Sequence, residues 1–184
     1  MTISRRLVQV LAIAAFTGAA LPLAMASLMR TMELAELTAA SDQIVVADVL
    51  SAESAWDNGH RNIYSTFEIS VQESWKGAPP ANGRIRIRQL GGTVGEIEMT
   101  VLGMPQFISG ERALLFLRHA HVVGMSQGKR HLHWDSTNKR WMAEASERSG
   151  ALKVELRGNS RATLPGGPET LDDLRERVRT LVGD

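Results

Sequence analysis

Apolar and polar residues alternate in short runs along most of this chain, with clusters of Gly, Asn, Asp and Pro between them, a pattern that predicts strands joined by turns. Arg84-Ile85-Arg86-Ile87-Arg88 is the cleanest run: a period of two turns its isoleucines inward and its arginines outward. The arginine row reads as a solvated outer face that discourages edge pairing, with a binding stripe as the other reading. Ile63 to Val71 alternates in the same way, placing Ile63, Ser65, Phe67, Ile69 and Val71 on one face and Tyr64, Thr66, Glu68 and Ser70 on the other. The β-branched run Ile44 to Leu50 suits a buried strand, and the unbroken apolar run Ala113 to Leu117 suits a central one. Asp57-Asn58-Gly59-His60 predicts a hairpin, because Asn-Gly takes the positive φ values that tight turns need. Shorter strands are expected at Ile97 to Val101, His121 to Val123, Arg130 to Trp134 and Arg140 to Ala143, with a turn at Asp135 to Asn138.

Two segments carry a helical period instead. Thr31 stands as an N-cap before a short helix over about 32–40, with Leu34, Leu37 and Ala40 at helical spacing and Glu33 and Glu36 where the macrodipole favours acids. After a linker at Leu164 to Pro168, Thr170 caps a final helix with Asp173 three residues on. Leu171, Leu174, Val178, Leu181 and Val182 form its apolar stripe, while Arg175, Arg177 and Arg179 face water, so the helix is expected to pack on the strands. The whole pattern is mainly β, that of a small barrel or sandwich with a helix at each end.

The first 26 residues follow a different rule. Arg5 and Arg6 open a mostly apolar stretch from Leu7 to Ala20, and Ala24-Met25-Ala26 supplies the small-x-small pattern of a signal-peptide cleavage site. Leu7 to Ala26 is long enough for a membrane anchor, but Gly18, Pro22 and the cleavage pattern favour removal, leaving no stable membrane span. Ser4-Arg5-Arg6-Leu7 partly matches a twin-arginine signal; Val8, Gln9 and Val10 depart from it, so the general secretory route is favoured. A periplasmic or secreted location is expected. The chain reads as a signal peptide over 1–26, a β-barrel domain over 27–163, and a linker with its packed helix over 164–184.

Composition sharpens this reading. Of 184 residues, 21 are Lys or Arg and 20 Asp or Glu, and none is Cys. Arg5 and Arg6 are the only charged residues in the export segment, so the remaining 158 residues hold 19 basic against 20 acidic side chains. Such a balance gives no electrostatic basis for nucleic-acid binding, which rests on clustered cations. The absence of Cys removes disulfides, a lipoprotein anchor and thiolate chemistry, so a packed core must hold the exported domain together.

The order of these features resembles an uncharacterised family of exported bacterial proteins whose pattern is similar to the netrin-like, tissue-inhibitor-of-metalloproteinase type of OB-fold. The resemblance spans Thr31 to Trp141. It rests on Val71-Gln72-Glu73-Ser74-Trp75-Lys76-Gly77, on Arg88-Gln89-Leu90-Gly91-Gly92-Thr93-Val94-Gly95 with Gly103-Met104-Pro105, on Gly110-Glu111-Arg112-Ala113-Leu114-Leu115-Phe116-Leu117, and on Val122 to Lys129. It implies a small OB-like β-barrel and a non-enzymatic binding or accessory module, with an exported protease as a partner. The metalloproteinase inhibitors of that class reach zinc through a disulfide-anchored cysteine, and a chain without cysteine cannot use that mechanism.

Several constellations are candidates for chemistry. His119-Ala120-His121 and His131-Leu132-His133 are two His-x-His pairs, each able to offer two imidazoles to Zn²⁺ or Cu²⁺ if it lies on a strand. The four converge if Ser126 to Lys129 forms a tight hairpin; a long bulged strand through Gly124 and Gly128 separates them. This metal-binding role is the alternative to the binding module, and no cofactor is otherwise expected. Gly124-Met125-Ser126-Gln127-Gly128 matches the serine-hydrolase string, but β-pattern flanks on both sides lack the strand-to-helix turn that activates such a serine. Gly91, Gly92 and Gly95 read as backbone geometry at a rim or as a binding loop, since neither a helix nor a Walker lysine follows. Asp57, Asn58, Asp135 and Asn138 are turn formers with too few oxygens for Ca²⁺. Of the four tryptophans, Trp56 and Trp134 are candidate binding residues, and Trp75 is expected to pack in the core.

Overall fold

A computed structural model describes residues 31–145 and 167–183; the signal peptide expected over 1–26 and positions 164–166 of the expected linker lie outside the described residues. The chain is mainly β. Strand β1 (Gln43–Trp56) and strand β2 (Ile63–Lys76) form a hairpin, and β3 (Arg84–Leu90) follows on the far side of β2. Next come a two-stranded sheet, β4 (Gly92–Val94) with β5 (Ile97–Met99), then β6 (Arg112–Arg118) and β7 (His121–Val122). A 3₁₀ turn at Met125–Gly128 leads into β8 (Lys129–Asp135), β9 (Arg140–Ala145) and β10 (Glu169–Thr170). The main sheet runs β10-β9-β8-β6-β1-β2-β3, antiparallel throughout, with β7 on β6. Its hydrogen-bonded path has two ends, β10 and β3, and does not close on itself among the described residues.

Two cores lie on opposite faces of the central strands. Val45, Ala47 and Val49 of β1 and Ala113, Leu115 and Leu117 of β6 pack with Phe67, Ile69, Ile85, Ile87 and Phe107. The intervening residues Ile44, Val46, Leu114 and Phe116 point the other way, toward Leu132, Ala143 and two helices, α1 (Leu34–Ala40) and α2 (Leu171–Val182). This double burial is why β1 and β6 carry apolar runs where Ile63 to Val71 alternates. On the first face the sheet curls far enough to bring Ala120 and Val122 onto the same core as Ile85 and Ile87.

The hairpin turn is held by Asp57, whose Oδ1 accepts the N–H groups of Gly59 at 3.1 Å and Arg61 at 2.8 Å. On β3 the arginines face solvent: Arg84 pairs with Glu68 at 2.6 Å, and the Arg88 guanidinium lies 4.0 Å over the Tyr64 ring. Helix α2 is capped by Thr170, whose Oγ1 accepts from Asp173 N–H at 3.0 Å. Leu171, Leu174 and Val178 are buried; Leu181, expected on the same stripe, is 45% exposed because Val182 takes the packed place in the last turn. The first helix departs further from expectation. Its N-cap is Glu33, not Thr31, and the Glu33 N–H is satisfied by Glu36 Oε2 at 3.0 Å, the bond by which the third helical residue reaches back in a capping box.

Candidate functional site

Strand β6 begins at Arg112, whereas its neighbours β1 and β8 run past that point. The end of β6 is therefore the floor of a notch between two strands that extend beyond it. On one side, Asp48, Val49 and Leu50 of β1 and the turn residues Ser109 and Gly110 border a wide-open depression of about 580 Å³ that reaches Trp141. On the other side a smaller cleft of about 180 Å³ lies between the β8–β9 turn and the first turn of α2. Arg112 and Trp141 line both.

Arg112 is fixed by a two-pronged pair with Asp48, Nε to Oδ1 at 2.6 Å and Nη2 to Oδ2 at 2.9 Å. Those hydrogen bonds raise the guanidinium's already high pKa, outweighing partial burial. Its carbon lies 4.9 Å from the centre of the Trp141 ring, and Trp134 meets Trp141 edge-on at 5.7 Å. Cross-strand pairing of Trp134 with Trp141 produces this contact, since directly paired residues share a face. Trp134 is nonetheless 49% exposed. Opposite it, Arg175 of α2 holds Glu73 at 2.8 Å and Asp172 at 2.5 Å.

Burial alone would raise the Glu73 carboxyl, but hydrogen bonds from the Trp75 indole and Arg175 hold it below the ordinary range. Asp57, Glu68 and Asp135 are held low in the same sense, by the Arg61 N–H, by Arg84 and by Asn138 respectively. The folded protein thus binds fewer protons than the unfolded chain as pH falls through the carboxylate range. The stabilisation is complete above the unfolded values and is lost below them. The urea midpoint is expected to fall between about pH 5 and about pH 3, and less steeply in Glu73→Gln; equal slopes in the two proteins would contradict the role given to Glu73.

The wall of the notch rests on a buried ion pair. Lys129 Nζ lies 2.5 Å from Glu111 Oε1, with side chains 3% and 9% exposed, and also donates to the Gln106 carbonyl. Glu111 Oε1 in turn accepts the Ile108 N–H at 2.8 Å, so one carboxylate ties the 106–111 turn to β8. Neither residue stands out in the sequence. The only signal is that Lys129 shares the alternation of His131 and His133, which would have aimed it at the core had the pairing with β6 been known.

The two His-x-His pairs are kept apart. Strands β7 and β8 lie end to end along the same edge of β6, with His121 opposite Arg118 and His131 opposite Ala113. Five residues of β6 separate them, about 17 Å at ~3.4 Å per residue. His119 is not on a strand: with Ala120 it forms the left-handed β6–β7 turn, φ 51° and 59°, beside Asp42 at 3.3 Å. His131 and His133 do share a face and stack at 6.3 Å, but each turns to its own carboxylate, Glu111 at 3.5 Å and Glu144 at 3.9 Å. Among the described residues no group of three or more His, Cys, Asp or Glu is placed to hold a metal ion.

Ser126 is buried in the 3₁₀ turn, its N–H on the Gly103 carbonyl at 2.8 Å, and β8 follows it where a hydrolase needs an α-helix. Gly91 and Gly92 bend the chain from β3 into β4. A side chain at Gly92, φ 136°, would lie 2.2 Å from Ser65 Oγ, which donates to the Gly91 carbonyl. Gly95 sits at the tip of the β4–β5 hairpin with φ 61° and lines neither cleft. Trp56 stacks on His60 at 6.2 Å at the β1–β2 turn, and Trp75 packs against the helical core. Trp134 alone of the expected binding residues lies at the notch.

No family model, curated protein or solved structure matches the chain. No helix among the described residues is long and apolar enough to cross a membrane.

Proposed function

We infer that this is an exported binding module, built as an OB-like barrel, that acts without chemistry of its own and offers the Trp134 notch to a partner. One observation carries the reading: Trp134 stays half exposed while it meets Trp141 edge-on, and Trp141 in turn packs against the Arg112 guanidinium. A large aromatic side chain held at the surface in a defined pose is the usual anchor of a recognition site, since little side-chain freedom is left to lose on binding. The export pattern of residues 1–26 supports a periplasmic or secreted setting. The curl that joins Val122 to the Ile85 and Ile87 core supports the barrel. The netrin-like resemblance supports an exported protease as the partner.

The test is a pull-down from periplasm and culture supernatant with the purified wild-type protein and with Trp134→Ala. Wild type is expected to retain a specific partner and the variant at least about tenfold less, as for a central aromatic anchor. Their melting temperatures are expected to agree. Retention of nothing above background by wild type, or equal retention by both, would overturn the reading.

A further inference from the structure

We propose that Asn58 is a self-modification site: the Gly59 backbone nitrogen attacks the Asn58 side-chain amide, and residue 58 becomes aspartyl and isoaspartyl. The site lies in the β1–β2 turn, lines neither cleft of the notch and needs no partner.

The chain has two Asn-Gly pairs, Asn58-Gly59 and Asn82-Gly83, both in turns, and in each the glycine leaves the nucleophilic nitrogen unshielded by a side chain. Three observations separate them. The Asn58 carboxamide is exposed and makes no hydrogen bond among the described residues, whereas Asn82 Oδ1 accepts the Arg84 N–H at 3.0 Å. Asn58 is therefore free to turn its Cγ toward the next nitrogen, and Asn82 is held. The Gly59 N–H points at Asp57 Oδ1, 3.1 Å away, a carboxylate that is ionised at neutral pH; the Gly83 N–H points at the Pro80 carbonyl at 2.8 Å, which takes no proton. The left-handed position of the first turn falls on His60, φ 51°, where a Cβ is crowded, whereas in the second it falls on Gly83, φ 66°, which adopts it without strain. The first turn thus opens at lower cost.

The attack forms a bond between Gly59 N and Asn58 Cγ, the amide proton passing to Asp57 and on to the departing nitrogen, and breaks the Cγ–Nδ2 bond with release of ammonia. Water then opens the cyclic imide. Cleavage at Cγ restores the backbone and leaves aspartate; cleavage at the backbone carbonyl routes the chain through the side chain and leaves isoaspartate. Either product adds a negative charge beside Asp57, and isoaspartate also lengthens the connection between β1 and β2 by a methylene.

The purified protein, aged in mildly alkaline buffer with and without urea and mapped by mass spectrometry, tests this. In the folded protein, conversion at Asn58, read as a gain of about 1 Da together with an isoaspartyl peptide, is expected at least about tenfold faster than at Asn82. In urea the two pairs are expected to convert at rates of the same order, since the difference lies in the fold. Gly59→Ala should slow the Asn58 reaction about tenfold and leave Asn82 unchanged, because a methyl group crowds the attacking nitrogen. The added Cβ would meet only the ends of the Arg61 and Asp57 side chains, and an unchanged melting temperature will show that this variant folds. No conversion at Asn58, equal rates at the two asparagines in the folded protein, or a preference for Asn58 that persists in full in urea would each overturn the proposal. So would conversion that ignores Gly59→Ala, or a product without isoaspartate.

Discussion

Replacing Lys129 with methionine is expected to remove about 3–5 kcal/mol of folding stability, read as a lowered urea midpoint. The loss is large because the substitution strips one charge from a pair that has almost no water around it: the side chains are 3% and 9% exposed. Glu111 would lose its lysine and keep only the Ile108 N–H and the His131 ring as polar neighbours, and the Gln106 carbonyl would lose its donor. Methionine fills the same length of channel, so the effect isolates the charge from the packing. The double variant Lys129→Met, Glu111→Gln should recover part of the loss, since it removes both charges together. Amide exchange at Ile108 should quicken in the single variant, because its partner is the same Glu111 oxygen. A loss below about 1 kcal/mol would mean that water reaches the pair and that the wall of the notch is held by something else.

Phe116→Ala is expected to cost a similar amount, about 3–5 kcal/mol, for a different reason. Phe116 has no exposed surface and is among the largest fully buried side chains. It lies in the second core with Leu37, Leu174 and Val178, so truncation opens a cavity between sheet and helices. Its neighbour Leu115 points to the opposite core, and Leu115→Ala should cost about 2–5 kcal/mol there. Urea melts of both single variants and the double variant read the relation between the cores. Additive losses are expected, given that the side chains leave the strand on opposite faces and share no partner. A Phe116→Ala loss under about 1 kcal/mol would contradict the central place given to it.

Much of this architecture was legible from the order of residues. The alternation in Ile63 to Val71 and Arg84 to Arg88 fixes which face is buried, and Asp57-Asn58-Gly59 and Thr170 with Asp173 mark a turn and a cap by local chemistry alone. What the sequence could not reveal depends on partners distant along the chain. The end-to-end placement of β7 and β8 is set by their shared edge on β6, and it decides whether four histidines meet. The notch was visible only in part. Trp134 stands out as a rare aromatic, but Arg112, Asp48 and Trp141 become a site only because β6 starts at Arg112 while both neighbouring strands extend past it. Lys129 was hidden for the same reason, since a lysine in a strand is ordinarily a surface residue until its opposite number is known.

The two cores differ in how much of the chain each requires. Every buried member of the first lies between Val45 and Leu117, whereas the second waits for Leu171, Leu174 and Val178. The stretch from Val45 to Leu117 thus contains every buried member of the core on one side of β1 and β6, whereas on the other side Ile44, Val46, Leu114 and Phe116 need the last helix to cover them. Loss of the last helix would therefore expose one apolar face of the sheet and leave the other core with all its buried members.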